Sequence, residues 1–134
     1  MITLLSFLFF FFPSQDKIVI TESWMRTNAK GMASALYLKI ENTSELADTL
    51  YKVDCDLAEK VEIHETYSNG DVMGMRKIDV IVVHPNSTFE LKPGAFHIML
   101  MKLRQDIKEG DEGKFILYFK NAGKIEITAK AKLK

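Results

Sequence analysis

Residues 60–78 read KVEIHETYSNGDVMGMRKI, and residues 95–103 read AFHIMLMKL. In the first stretch Val61 and Ile63 alternate with charged neighbours. An extended chain therefore sends them to one face and His64 to the other. The run Tyr67–Asp71 breaks the alternation with Asn69-Gly70, a strong signal for a tight hairpin. Folding 60–66 back on 72–78 brings His64 close to Met73 and Met75. In the second stretch Phe96, Ile98 and Leu100 take one face while His97, Met99 and Met101 take the other. A core claims the apolar face, which leaves imidazoles and thioethers free to converge.

The same grammar extends in both directions. Residues 17–24, 33–42 and 49–55 read as strands, and Leu36, Leu38 and Ile40 share one face of the second. Pro85-Asn86 and Pro93-Gly94 mark turns, and a final hairpin passes through Asn121-Ala122-Gly123. No segment carries a convincing amphipathic helix. About eight or nine short strands with turn signals between them predict an all-β fold, a Greek-key barrel or sandwich.

Composition narrows the partners. The chain has 134 residues, 47% apolar and 27% charged, with 18 Lys plus Arg against 18 Asp plus Glu. That suits one soluble domain and offers no basic footprint for nucleic acid or an anionic membrane. Residues 1–12 are almost wholly apolar and stop at Pro13. The run is shorter than the roughly 20 residues a spanning helix needs, and it fits the apolar core of a signal peptide. No Lys or Arg precedes it, and no A-x-A site follows. The expected division is a signal peptide at 1–14 and a β-domain at 15–134, exported to the periplasm or an equivalent extracytoplasmic space, with no stable membrane insertion after processing. No cysteine lies beside the leader to carry a lipid anchor. The single cysteine, Cys55, cannot close an intramolecular disulfide. Flanked by Asp54 and Asp56, it has little to activate it, and it reads as a half-buried strand residue.

The donors themselves point to a metal. Thioether sulfur is soft and neutral and selects Cu(I), and imidazole suits copper generally. Zinc prefers thiolates, imidazoles or carboxylates, and calcium wants oxygens. Any one Met is ordinary core filler; His64, Met75, His97 and Met99 together are not.

Their spacing, H-x10-M-x21-H-x-M, resembles that of the periplasmic copper chaperones of the PCuAC type. The likeness runs from Trp24 to Ile127, through ALYLKIEN, HET, MRKI and ELKPG followed by FHIMLMKL. The resemblance implies a cupredoxin-like fold, with His64 and His97 as imidazole ligands and Met75 and Met99 as thioether ligands for Cu(I). It also implies delivery to a copper-accepting protein, either a cytochrome c oxidase subunit or another copper chaperone, by a monomer. Met73 and Met101 are auxiliary candidates, as reserve ligands or an apolar collar, and Phe96 is expected beneath the site. Ala95 stands where the family commonly has a second Gly. His84 reads as an exposed turn histidine, and the C-terminal KAKLK lacks a His- and Met-rich tail, so a single site is expected. Two other classes compete: a cupredoxin-type electron carrier and a metal-free extracellular β-sandwich binding module. An enzyme is not expected, since no Ser/His/Asp spacing, phosphate-cradling loop or HExxH is present.

Overall fold

The computed structural model describes residues 17–133; the expected signal peptide lies outside them. Ten strands follow in order: β1 (Ile18–Arg26), β2 (Ser34–Asn42), β3 (Asp48–Asp54), β4 (Ala58–Asn69), β5 (Val72–Lys77), β6 (Ile81–Val83), β7 (Ser87–Leu91), β8 (Phe96–Leu103), β9 (Glu112–Phe119) and β10 (Gly123–Lys132). The count exceeds the expected eight or nine, and one of the ten, β6, is only three residues long. No helix occurs among the described residues, so none is long and apolar enough to cross a membrane.

Hydrogen-bonded neighbours run β5-β4-β8-β2-β1-β10-β9-β3-β6, with β7 also on β2. The strand pairs are antiparallel except β1 with β10, which is parallel. The sheet folds over its own interior. Leu36, Leu38 and Ile40 from β2 meet Ile98 and Leu100 from β8 and Phe115, Leu117 and Phe119 from β9, all essentially buried. Each is the inward half of an alternating strand, so the expected period of two is realised.

Three irregularities position the outer face. In β1 the register with β2 shifts between Thr21 and Trp24, and Glu22 takes φ 51°. Such a bulge changes the parity of the strand. Ile18 is buried before it and Met25 after it, which turns Trp24 and Arg26 outward. In the β4–β5 hairpin, Asn69 pairs with Val72, leaving Gly70-Asp71 as the two-residue loop. The loop thus sits one residue later than the Asn69-Gly70 signal suggested. Gly70 adopts φ 66°, a conformation that glycine takes without steric cost.

The third irregularity is the turn from Lys92 to Ala95. Leu91 of β7 pairs with Leu38, while Ile98 of β8 pairs with Leu36. The two strands therefore succeed one another along one edge of β2. The Pro93-Gly94 excursion between them carries Phe96 and His97 across to β4. Cys55, expected within a strand, lies one residue beyond β3 and is half-buried against the core.

Candidate metal centre

Across β4 and β8, His64 lies opposite His97 and Glu62 opposite Met99. Across β4 and β5, Thr66 lies opposite Met75 and Ser68 opposite Met73. Directly opposed residues of an antiparallel pair share a face. His64, Met75, His97 and Met99 therefore stand on one outer face of three adjacent strands. The two imidazole rings have centroids 5.7 Å apart and planes inclined by 48°. His64 is 8% exposed and His97 4%. Met75, His97 and Met99 line one groove of about 590 Å³, together with Arg26, Asn28 and Tyr37 among others. Met99 is half-buried, whereas Met75, on the edge strand, is 59% exposed.

The auxiliary candidates stand farther off. Met101 lies opposite Lys60 and is half-buried; Met73, opposite Ser68, is 70% exposed. Neither lines the groove. Phe96 turns to the other side of β8, where it meets Phe89 edge-on at 4.9 Å. His84 is exposed between β6 and β7.

An aromatic wall closes the β2 side. Tyr37 places its ring centroid 6.3 Å from that of His97, and Trp24 lies 4.7 Å beyond Tyr37. The Arg26 guanidinium sits 5.4 Å from the Tyr37 ring centroid. Tyr37 faces outward by the alternation of β2, whereas Trp24 and Arg26 do so because the β1 bulge shifts the parity of their strand. Sequence reading missed them, since the shift of parity leaves no mark in the alternation. It also missed Glu62, although Glu62 and His64 are two apart on one strand, the spacing of a shared face.

The two imidazoles sit in different surroundings. Burial pushes the His97 pKa below its ordinary value of 6.5; neighbouring His64 and Arg26 add to this, and a backbone hydrogen bond at Ala95 opposes it. His97 is thus neutral near pH 7 with a lone pair free to bind. The His64 Nε2 atom lies 3.3 Å from Glu62 Oε1, while its Nδ1 is buried without a hydrogen-bond partner among the described residues. A buried nitrogen left unsatisfied is costly, and a bound metal ion would satisfy it. Glu62 Oε2 faces Lys77 Nζ at 3.4 Å and Lys60 Nζ at 3.7 Å. The hydrogen bond with His64 and the two lysines hold the Glu62 carboxyl below its usual pKa, against the opposing effect of burial.

Among the described residues no three His, Cys, Asp or Glu side chains are grouped to hold a metal ion. A zinc or calcium cage is therefore not built here. The available set is two imidazoles and two thioethers, neutral and soft, which is the chemistry that suits Cu(I). Cys55 contributes nothing to it. Its thiol lines a separate depression with Asp54, Val61 and Arg104, and burial raises its pKa.

Fold and site together define a cupredoxin-like β-sandwich with a His/Met cluster on its outer face. Residues 18–131 match the family described as "Putative lipoprotein LpqE-like", and the chain belongs to that LpqE-like family. It is 30% identical over 112 residues to the uncharacterised protein RP573 of Rickettsia prowazekii (strain Madrid E), covering 80% of this chain and 62% of that one. A relative from Leifsonia xyli subsp. xyli, Lxx21020, carries the same lipoprotein description; it is 25% identical over 105 residues, covering 78% of this chain and 63% of its own. The chain thus spans about three fifths of the length of these curated relatives.

Among solved structures, the copper-bound PCuAC domain from PmoF2 superposes with a TM-score of 0.74 at 24% identity, over 88% of this chain and 94% of that one. The apo PmoF2 PCuAC domain gives 0.71 at 25% identity, over 87% and 90%. Cu(I)-DR1885 from Deinococcus radiodurans gives 0.65 at 22%, over 84% and 78%. The fold is that of the PCuAC domains.

Proposed function

We propose that this domain is an extracytoplasmic Cu(I) carrier that binds the ion through His64, Met75, His97 and Met99 and passes it on by ligand exchange. One observation carries the reading. Two buried imidazoles in ring-to-ring proximity, one with an unpartnered Nδ1, share a face with two thioethers, and His97 lines one groove with both sulfur side chains. Support also comes from the structural neighbours, two of which are described as copper-bound and Cu(I)-bound.

The geometry suits handover. His64 and His97 are held within paired strands, whereas Met75 hangs from the sheet edge in solvent. An approaching acceptor displaces Met75 first, then Met99, while the imidazoles still hold the ion. Copper moves by exchange for the acceptor's thiolates or imidazoles, and no free ion is released. The acceptor is a copper protein outside the cytoplasm, in this reading the dinuclear copper site of a cytochrome c oxidase subunit or another chaperone. The domain acts as a monomer, carrying its cargo without catalysing a reaction. Export is supported by the apolar run at 1–12 and by the family's lipoprotein description, although the one cysteine of this sequence is Cys55.

The electron-carrier reading requires a thiolate beside the histidines, and Cys55 lines a different depression from the groove of His97, Met75 and Met99. The copper-loaded protein should accordingly be nearly colourless; an intense blue band on oxidation would reverse this choice. The main test is Cu(I) competition titration of the purified protein against a chelator whose Cu(I) complex is coloured, followed by mixing with a copper-free oxidase subunit. One equivalent bound tightly and then transferred is expected. Absence of binding would leave only a metal-free β-sandwich.

A further inference from the structure

We infer that Glu62 is the positioning residue of the centre: its carboxylate fixes the tautomer of His64, so that Nδ1 is the nitrogen offered to the metal. The inference rests on the Cu(I) reading for its consequence, but not for its geometry.

A neutral imidazole carries one N–H and one lone pair. His64 Nε2 faces Glu62 Oε1 at 3.3 Å, and an ionised carboxylate can only accept. The proton therefore belongs on Nε2. The opposite tautomer would set a nitrogen lone pair against carboxylate oxygen and bury an N–H at Nδ1 with no acceptor among the described residues. Both are unfavourable, and each alone selects the same answer.

Glu62 is itself fixed. Its side chain is 10% exposed, and its two oxygens divide the work: Oε1 takes His64, while Oε2 takes Lys77 at 3.4 Å and Lys60 at 3.7 Å. The register explains the convergence. Lys77 lies directly across β5 from His64, and Met99 lies directly across β8 from Glu62. Glu62 thus stands opposite Met99 of β8 and two residues from His64 on its own strand, with its carboxylate against the imidazole Nε2. Metal-binding histidines commonly donate their second N–H to such an oxygen, which orients the ring and raises its basicity.

The test begins with the metal-free wild-type protein. Nitrogen-15 NMR of the His64 ring should show a protonated Nε2 and a bare, pyridine-type Nδ1. Glu62→Ala should mix the two tautomers and weaken Cu(I) binding by about 10–100-fold, whereas Glu62→Gln, which keeps a carbonyl acceptor, should restore much of both. A protonated Nδ1 in the wild type would overturn the inference without any variant having to fold. So would an unchanged tautomer in Glu62→Ala. A wild-type protein with the expected tautomer but no affinity for Cu(I) would sink the copper reading and leave the assignment of Glu62 as the tautomer-setting group standing.

Discussion

At the residue scale, the account turns on which donors are held and which are free to move. His97 and Met99 line the groove from a central strand, so His97→Ala and Met99→Leu should each weaken Cu(I) binding by about tenfold or more, or about 1.4 kcal/mol. His84→Ala, at an exposed turn, should leave it unchanged; equal losses in all three variants would remove the assignment. Oxidation gives a second handle. Met75 is 59% exposed while Met25 is fully buried, so dilute peroxide should convert Met75 to the sulfoxide long before Met25. The treated protein should lose Cu(I) affinity more than Cu(II) affinity, and titration with both ions checks this. The shared face of His64, His97 and the methionines was legible because strand alternation and turn spacing fix which side chains can meet, whereas preferring Met75 and Met99 to Met73 and Met101 rested on the resemblance. Glu62 was not read from the sequence, because a charged residue on a strand's outer face looks the same whether it faces water or a ligand. Only the short contact to Nε2 and the empty Nδ1 distinguish the two.

At the scale of elements, the β4–β5 hairpin sets the reach of Met75. Gly70 holds φ 66° in its two-residue loop, and an L-residue there is strained by about 1 kcal/mol. Gly70→Ala should loosen the hairpin, with faster amide exchange across Thr66–Met75, and reduce Cu(I) affinity less than Met75→Leu does. Exchange confined to its wild-type rate would contradict this. A contrasting variant lies at the β9–β10 hairpin. Asp48, buried at the start of β3, accepts the N–H groups of Asn121 and Ala122 at 2.8 and 2.9 Å and that of Thr49 at 2.8 Å. Asp48→Ala should cost about 2–3 kcal/mol in a urea titration without altering Cu(I) affinity. The hairpin and the Pro93-Gly94 turn were legible from turn chemistry. The β1 bulge was not, because its strained residue is Glu22 rather than the glycine that usually announces a positive φ. The parallel pairing of β1 with β10 joins residues about a hundred positions apart, which no local pattern encodes.

For the molecule as a whole, the cost of a buried, neutral site should show in its response to pH. The His97 pKa is lowered on folding, mainly by burial, so below its ordinary value of 6.5 the unfolded chain binds the proton more readily. Stability of the metal-free protein should be fully present above that value and fall as pH drops from 6.5 through the lowered one. Glu62, lowered from 4.5, adds a separate loss only below its own ordinary value. Urea midpoints measured from pH 8 to 3, with His97→Gln flattening the decline that begins near 6.5, separate the two windows; a wild-type curve flat from pH 7 to 5 would contradict the burial argument. The all-β class was readable throughout, since alternation and turns recur along the chain, whereas the closure of the sheet over Phe115 and Phe119 depends on pairings made at long range. The most direct test of the central claim is X-ray absorption at the copper edge of the protein loaded with one equivalent of Cu(I). Two nitrogen and two sulfur neighbours are expected from the donors on this face, with sulfur lost in Met75→Leu and Met99→Leu. A shell of nitrogen and oxygen alone, or the same sulfur count in both variants, would contradict it.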